Sequence, residues 1–148
     1  MRWLLAAALA AVWGLPLAAG PDRFSVLLGS KHVDGSGFNE INPGLFLTWE
    51  GRRLGYSVGA YLNSYDRGSL AATAHLPLLH WEGGEASAFA GLAWYPQDGQ
   101  RFRTRISGDI VGIGGLNLRH RHVFVQLLPM SDAARALVTF GLTWEIGQ

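Results

Sequence analysis

Residues 136–146 read Ala136-Leu137-Val138-Thr139-Phe140-Gly141-Leu142-Thr143-Trp144-Glu145-Ile146. Val138, Phe140, Leu142, Trp144 and Ile146 share one parity, while Thr139, Gly141, Thr143 and Glu145 share the other. Side chains of a strand alternate between its two faces, so this stretch predicts a strand with one apolar face and one small, polar face. The same alternation returns upstream with aromatic residues at segment ends. Repeated in this way, it predicts an all-β chain, an eight-stranded antiparallel transmembrane up-and-down β-barrel with lipid-facing and lumen-facing residues alternating along each strand.

Seven further segments precede it. Residues 23–31 are apolar on both parities and have no clear periodicity. Residues 39–49 place Ile41, Leu45, Leu47 and Trp49 outward, and residues 54–63 do the same with Leu54, Tyr56, Val58, Ala60 and Leu62. Residues 69–79 turn Leu70, Ala72, Ala74, Leu76 and Leu78 outward, and residues 85–94 turn Ala86, Ala88, Ala90, Leu92 and Trp94 outward. A Gly-rich sixth segment covers residues 106–116, and a seventh covers residues 122–130 with Val123, Val125 and Leu127 outward. The residues assigned inward, such as Glu40, Asn42, Thr48, Ser57, Asn63, Thr73, His75, Ser87 and Gln126, are mostly polar or small. A soluble lipocalin-like barrel would show the opposite, with apolar residues inside and a polar exterior. Short polar turns at residues 50–53, 81–84 and 117–121 alternate with longer connections at 31–38, 63–68, 95–105 and 129–135. In an outer-membrane barrel the short set is periplasmic and the long set extracellular.

The start of the chain fits export. Arg2 is followed by an apolar run from Leu4 to Val12, then Pro16 and the small residues Ala18 and Ala19. Residues 1–19 therefore read as a signal peptide and residues 20–148 as the barrel, which is expected in the cell outer membrane. Roughly 130 residues remain after cleavage, enough for eight strands of about ten residues. The chain has no cysteine, and its net charge of +1 gives no reason to expect a nucleic-acid partner. No cofactor or metal site is expected. Arg119-His120-Arg121-His122 reads as a solvated turn, and His75 as a hydrogen-bonded interior residue. Glu40, Glu85 and Glu145 need cationic partners in a narrow lumen, for which Lys31, Arg103 and Arg105 are candidates.

Two polar clusters fall at the extracellular rim: Lys31-His32-Val33-Asp34 with Phe38-Asn39-Glu40, and Asn63-Ser64-Tyr65-Asp66-Arg67. A His within reach of a Ser hydroxyl can act as general base in attack on an ester carbonyl. The order of these motifs resembles the PagP family, outer-membrane palmitoyltransferases that move an acyl chain from a phospholipid to lipid A. Those proteins carry a His on the first extracellular loop, an aromatic-Asn-Glu stretch, and an Asp-Ser pair at the extracellular end of the third strand. His32, the stretch Phe38-Asn39-Glu40, and Asn63-Ser64 stand at the matching places.

The resemblance implies a monomeric acyltransferase of the outer membrane, with lipid A and a phospholipid donor as partners and His32, Asn63 and Ser64 as catalytic residues. It covers residues 24–79. Asn63 replaces the family's Asp and removes a charge that would stabilise an imidazolium; Asp34 and Asp66 are the nearest substitutes. The family's N-terminal amphipathic helix has no counterpart, and strict alternation turns Ser64 outward where Asn63 turns inward. Arg67, Arg101, Arg103, Arg105, Arg135 and Lys31 share the extracellular side, where lipid phosphates are expected. The alternative function is a non-catalytic barrel of the OmpX kind, serving membrane integrity or surface interaction.

Overall fold

The computed structural model describes residues 19–129 and 134–147. All of the expected signal peptide except Ala19 lies outside the described residues. Among the described residues nine strands form: β1 (Arg23–Val33), β2 (Ile41–Trp49), β3 (Gly55–Leu62), β4 (Gly68–Trp81), β5 (Gly84–Trp94), β6 (Arg105–Ser107), β7 (Ile110–His120), β8 (Val123–Pro129) and β9 (Ala136–Glu145). Each wall strand pairs antiparallel with its neighbour, β1 pairs with β9, and β5 pairs with β7. The result is a closed eight-stranded barrel, and β6 is a short hairpin arm on β7.

The expected alternation holds on most strands. Leu45, Leu47, Val58, Leu70, Leu92, Leu116, Val125 and Phe140 stand exposed on the outer face, while Ser25, Ser57, Ser87, Thr139 and Thr143 are buried inside. The interior differs from expectation in one respect. Leu27, Phe89 and Phe124 are also buried there, and Phe46 faces the same space, beside Tyr61, which was expected inward. Where both parities are apolar, as at Val123-Phe124-Val125, period alone does not say which residue is inside.

The sixth segment also differs. A single strand over 106–116 followed by a turn over 117–121 is replaced by β6, a turn at Gly108-Asp109, and β7 reaching His120. Gly108 takes φ +54°, a conformation that favours glycine. Asn117 and Arg119 look like turn residues only because the lumen they face is polar. Arg119 is not a solvated turn residue, since its side chain is 15% exposed.

The short-turn end of the lumen holds an ion cluster. Arg23 donates to Glu50 at 2.9 Å and to Glu145 at 2.8 Å, while Arg119 lies 3.4 Å from Glu50 and 3.7 Å from Glu85. Of the expected cations, Lys31 takes the assigned role, pairing with Glu40 at 2.9 Å. Arg103 and Arg105 sit at the long-loop end, too far along the barrel to serve Glu85 or Glu145. Above the ion cluster, Ala71, Ala93 and Val111 pack with Phe46, Tyr61, Tyr95, Phe102 and Ile113. A cavity of about 160 Å³ lies within the lumen.

Two local irregularities position the long-loop end. A bulge in β1 between Leu27 and Gly29 shifts the register against both neighbours. Arg23, Ser25 and Leu27 face inward before it, and Ser30 and His32 are buried after it, leaving Lys31 exposed. An extra residue on one strand has this effect because side-chain direction has period two. Gly29 fits the bulge because a Cβ there would stand 2.6 Å from the Glu40 carbonyl oxygen. The second irregularity lies between β7 and β8, whose ladder runs only from His120↔Val123 to Leu116↔Leu127. Leu128 and Pro129 pair with β9 alone, and β6 takes the upper edge of β7. The Gly115 backbone still lies against Leu127 and Leu128, and Ile113 and Leu128 both line the cavity.

Candidate functional site

His32 ends the inward row of β1 and is 3% exposed. Its ring stacks on Phe38 with centroids 3.9 Å apart and planes 11° apart. Its backbone N–H donates to Glu40 Oε1 at 3.4 Å, and Nδ1 has no hydrogen-bond partner. A buried ring nitrogen left unpaired is costly to a fold, and such groups concentrate where chemistry or a ligand uses them. Its Cα partner on β9 is Leu137, which lines the cavity. The imidazole thus sits at the rim, one residue from the apolar lumen.

Glu40 is the acid beside it. The hydrogen bond from the Lys31 ammonium holds the Glu40 carboxyl below the usual range, so it is ionised at neutral pH. Sequence reading placed Glu40 in the lumen without a catalytic part; the signal was its place in the Phe38-Asn39-Glu40 stretch. Asp34 and Asp66, the expected substitutes for a missing Asp, are engaged elsewhere. Asp34 pairs with Arg135 at 3.3 Å, and Asp66 accepts from Asn39 Nδ2 at 2.6 Å.

The loop carrying Ser64 is tied to the His32 loop, though not through the Ser hydroxyl. Asn39 N–H donates to the Ser64 carbonyl at 3.1 Å, and Phe38 meets Tyr65 edge-on at 6.0 Å. Among the described residues no hydrogen bond joins His32 to Ser64 or to Asn63. Asn63 is 1% exposed and builds its own turn. Its Oδ1 accepts from Tyr65 N–H at 2.8 Å and Arg67 N–H at 3.2 Å, and its Nδ2 donates to Ser69 Oγ at 2.9 Å. This is the local side-chain mimicry of a backbone turn that Asn favours.

The expected effects of substitution follow. Asn63→Ala leaves buried partners unpaired and should cost about 1–3 kcal/mol of stability. Asn63→Asp keeps the acceptor for both N–H groups and should fold with a smaller loss. Unfolding midpoints check the pair; a loss with Asn63→Asp as large as with Asn63→Ala would contradict the acceptor role of Oδ1.

The rim arginines are largely held by carboxylates. Asp98 is 1% exposed and receives Arg67 and, at 2.7 Å, Arg101 Nε. Arg101 also lies over the Tyr65 ring at 4.9 Å. Burial pushes the Asp98 carboxyl up, but the two guanidiniums outweigh it and hold its pKa below the ordinary value. A depressed carboxylate stabilises the fold fully above its unfolded pKa and loses that contribution as pH falls through the folded value. The 95–109 loop should therefore stay protected from proteolysis at pH 7 and at pH 5, and open only well below pH 4, near and under the ordinary Asp range. Loop cleavage already at pH 5 would contradict the Asp98 anchor.

Among the described residues no three metal-ligating side chains cluster. The chain matches no family model, no curated protein and no solved structure, so its likeness to PagP acyltransferases stands on His32, Phe38-Asn39-Glu40 and Asn63-Ser64 alone.

Proposed function

We propose that this protein spans the outer membrane as a monomer, exported behind residues 1–19, and transfers an acyl chain from a phospholipid to lipid A or a related outer-leaflet lipid. The observation that carries the reading is the unpaired, buried His32 imidazole, whose partner across the ladder, Leu137, lines the luminal cavity. The membrane part draws on the outward belt. Soluble monomers rarely expose contiguous apolar patches beyond a few hundred Å², whereas Leu45, Leu70, Leu92, Leu116, Val125 and Phe140 ring this barrel.

In this reading the donor's acyl end lies in the upper lumen, reached over the rim. His32 takes the proton from an acceptor hydroxyl as its oxygen attacks the ester carbonyl. The new acyl–oxygen bond forms, the donor's acyl–oxygen bond breaks, and the proton passes to the departing oxygen. Ionised Glu40, which accepts from the His32 backbone N–H and not from the ring, stabilises the imidazolium in between by its nearby charge. Direct attack by the lipid hydroxyl suits the absence of a His32–Ser64 hydrogen bond better than a Ser64 acyl intermediate. A cavity of about 160 Å³ is on the scale of one that takes up benzene, so it holds a short length of chain. A long chain requires luminal side chains to yield.

A second reading, the non-catalytic barrel, is favoured by Asn63, whose polar atoms are all occupied in its own turn. Mass spectrometry of lipid A from cells with and without the protein separates the two. An added acyl mass supports transfer; unchanged lipid with a folded barrel in the membrane leaves the scaffold.

A further inference from the structure

The cavity wall carries more hydrogen-bonding groups than a plain hydrocarbon chain calls for. Cα partners across neighbouring strands align Ser87 with Asn117, Asn117 with Gln126, Gln126 with Thr139, and Thr139 with Ser30. The first four line the cavity, and Ser30 is buried beside it. They form one band of neutral hydroxyls and amides winding up the inner wall. Phe124 and Leu128 flank it on β8, two positions either side of Gln126, while Glu85 and Arg119 of the ion cluster stand two positions from Ser87 and Asn117; all four line the cavity. Part of the band is internally satisfied, as Thr139 Oγ1 donates to Gln126 Oε1 at 3.1 Å and Ser30 Oγ donates to Asn42 Oδ1. Ser87 is not. It is 1% exposed, and its Oγ has no partner.

We propose that this band is a subsite for an acyl chain bearing a hydroxyl, so that the protein prefers hydroxylated over plain acyl chains; the inference rests on the acyl-handling reading above. A neutral donor–acceptor band in the wall of a cavity selects for a neutral group that both gives and takes a hydrogen bond. Ser87 Oγ is free to do either with a chain hydroxyl. A plain chain displaces any water at Ser87 and leaves that buried hydroxyl unsatisfied, which costs affinity. The cations that line the same cavity, Arg23 and Arg119, are already paired with Glu50, Glu85 and Glu145, so the unpartnered group that a chain meets is the Ser87 hydroxyl.

The test is an NMR titration of the full barrel in detergent micelles with decanoate and with 3-hydroxydecanoate, following the amide resonances of Ser87, Asn117 and Gln126. One net hydrogen bond predicts that 3-hydroxydecanoate binds about 2- to 12-fold more tightly. Ser87→Ala should bring the ratio to about one. Taking the ratio within each protein cancels the difference in micelle partition between the two acids. Asn117→Leu, which keeps volume and removes the amide, should reduce the ratio as well. Equal affinities in the parent, or a preference that survives Ser87→Ala, would overturn the subsite and leave water as the occupant of the band. If neither acid moves the luminal resonances while cells still acquire the added acyl group, the luminal site is wrong and acyl transfer stands. If both are absent, both readings fall.

Discussion

Replacing His32 by Ala should lower lipid acylation by about 10²- to 10⁴-fold, the usual loss on removing a general base. Because His32 is buried and stacked on Phe38, the Ala variant also leaves a void, so His32→Gln is the better companion. Gln retains most of the volume and a hydrogen-bonding tip but does not take up a proton at neutral pH. Both variants should reach the membrane and keep the heat-dependent electrophoretic shift of a folded barrel, with lipid A read by mass spectrometry. Ser64→Ala should retain activity of the parent's order, because it is the Ser64 carbonyl, not the hydroxyl, that holds the two loops together. Full activity in His32→Gln would remove the base from the mechanism. Complete loss in Ser64→Ala, with the barrel intact, would instead make Ser64 the nucleophile.

The second large effect concerns the outer face. Phe140 is exposed midway along β9, with Gly29 and Val125 as its Cα partners. In a membrane-spanning barrel Phe140→Arg near the bilayer midplane should cost about 2–4 kcal/mol of folding free energy. In a water-soluble barrel the same change at an exposed site should stay within about 0.5 kcal/mol. Folding equilibria into lipid vesicles, followed through denaturant titration of the tryptophan fluorescence, distinguish the two. A neutral result would sink the membrane assignment and the acyl-transfer reading that depends on it.

The parts of the fold that were legible in the sequence are those where one parity is apolar and the other is not. β9, β2, β3, β4 and β5 satisfy this, and outward residues such as Leu45, Val58, Leu70, Leu92 and Phe140 are exposed. β1 fails because its bulge changes the parity halfway along, so no single period describes it. β7 fails at both ends for different reasons. Its start is separated from β6 by the turn at Gly108, and its finish carries luminal Asn117 and Arg119, whose polarity imitates a turn. The luminal aromatics Phe46, Phe89 and Phe124 were hidden because their neighbours are apolar too. At the site, residue types and order marked out His32, but sequence spacing does not reveal which groups a side chain's hydrogen bonds reach. Asn63 stands where a catalytic partner is expected and serves its own turn, while the nearby acid is Glu40, eight residues after His32.

The β1 bulge has a genetic consequence. The bulge carries one surplus residue at Leu28-Gly29, so an in-frame loss of a single codon there would remove the irregularity and leave Ser30 and His32 inward by plain alternation. Loss of the Ser30 codon, just past the bulge, would instead bring Lys31 into the inward place and turn His32 to the outer face. A barrel with this histidine inside and one without it are thus separated by one deletion event. Changes of function in such a wall can arise by shifts of register, without the substitution of any residue at the site itself.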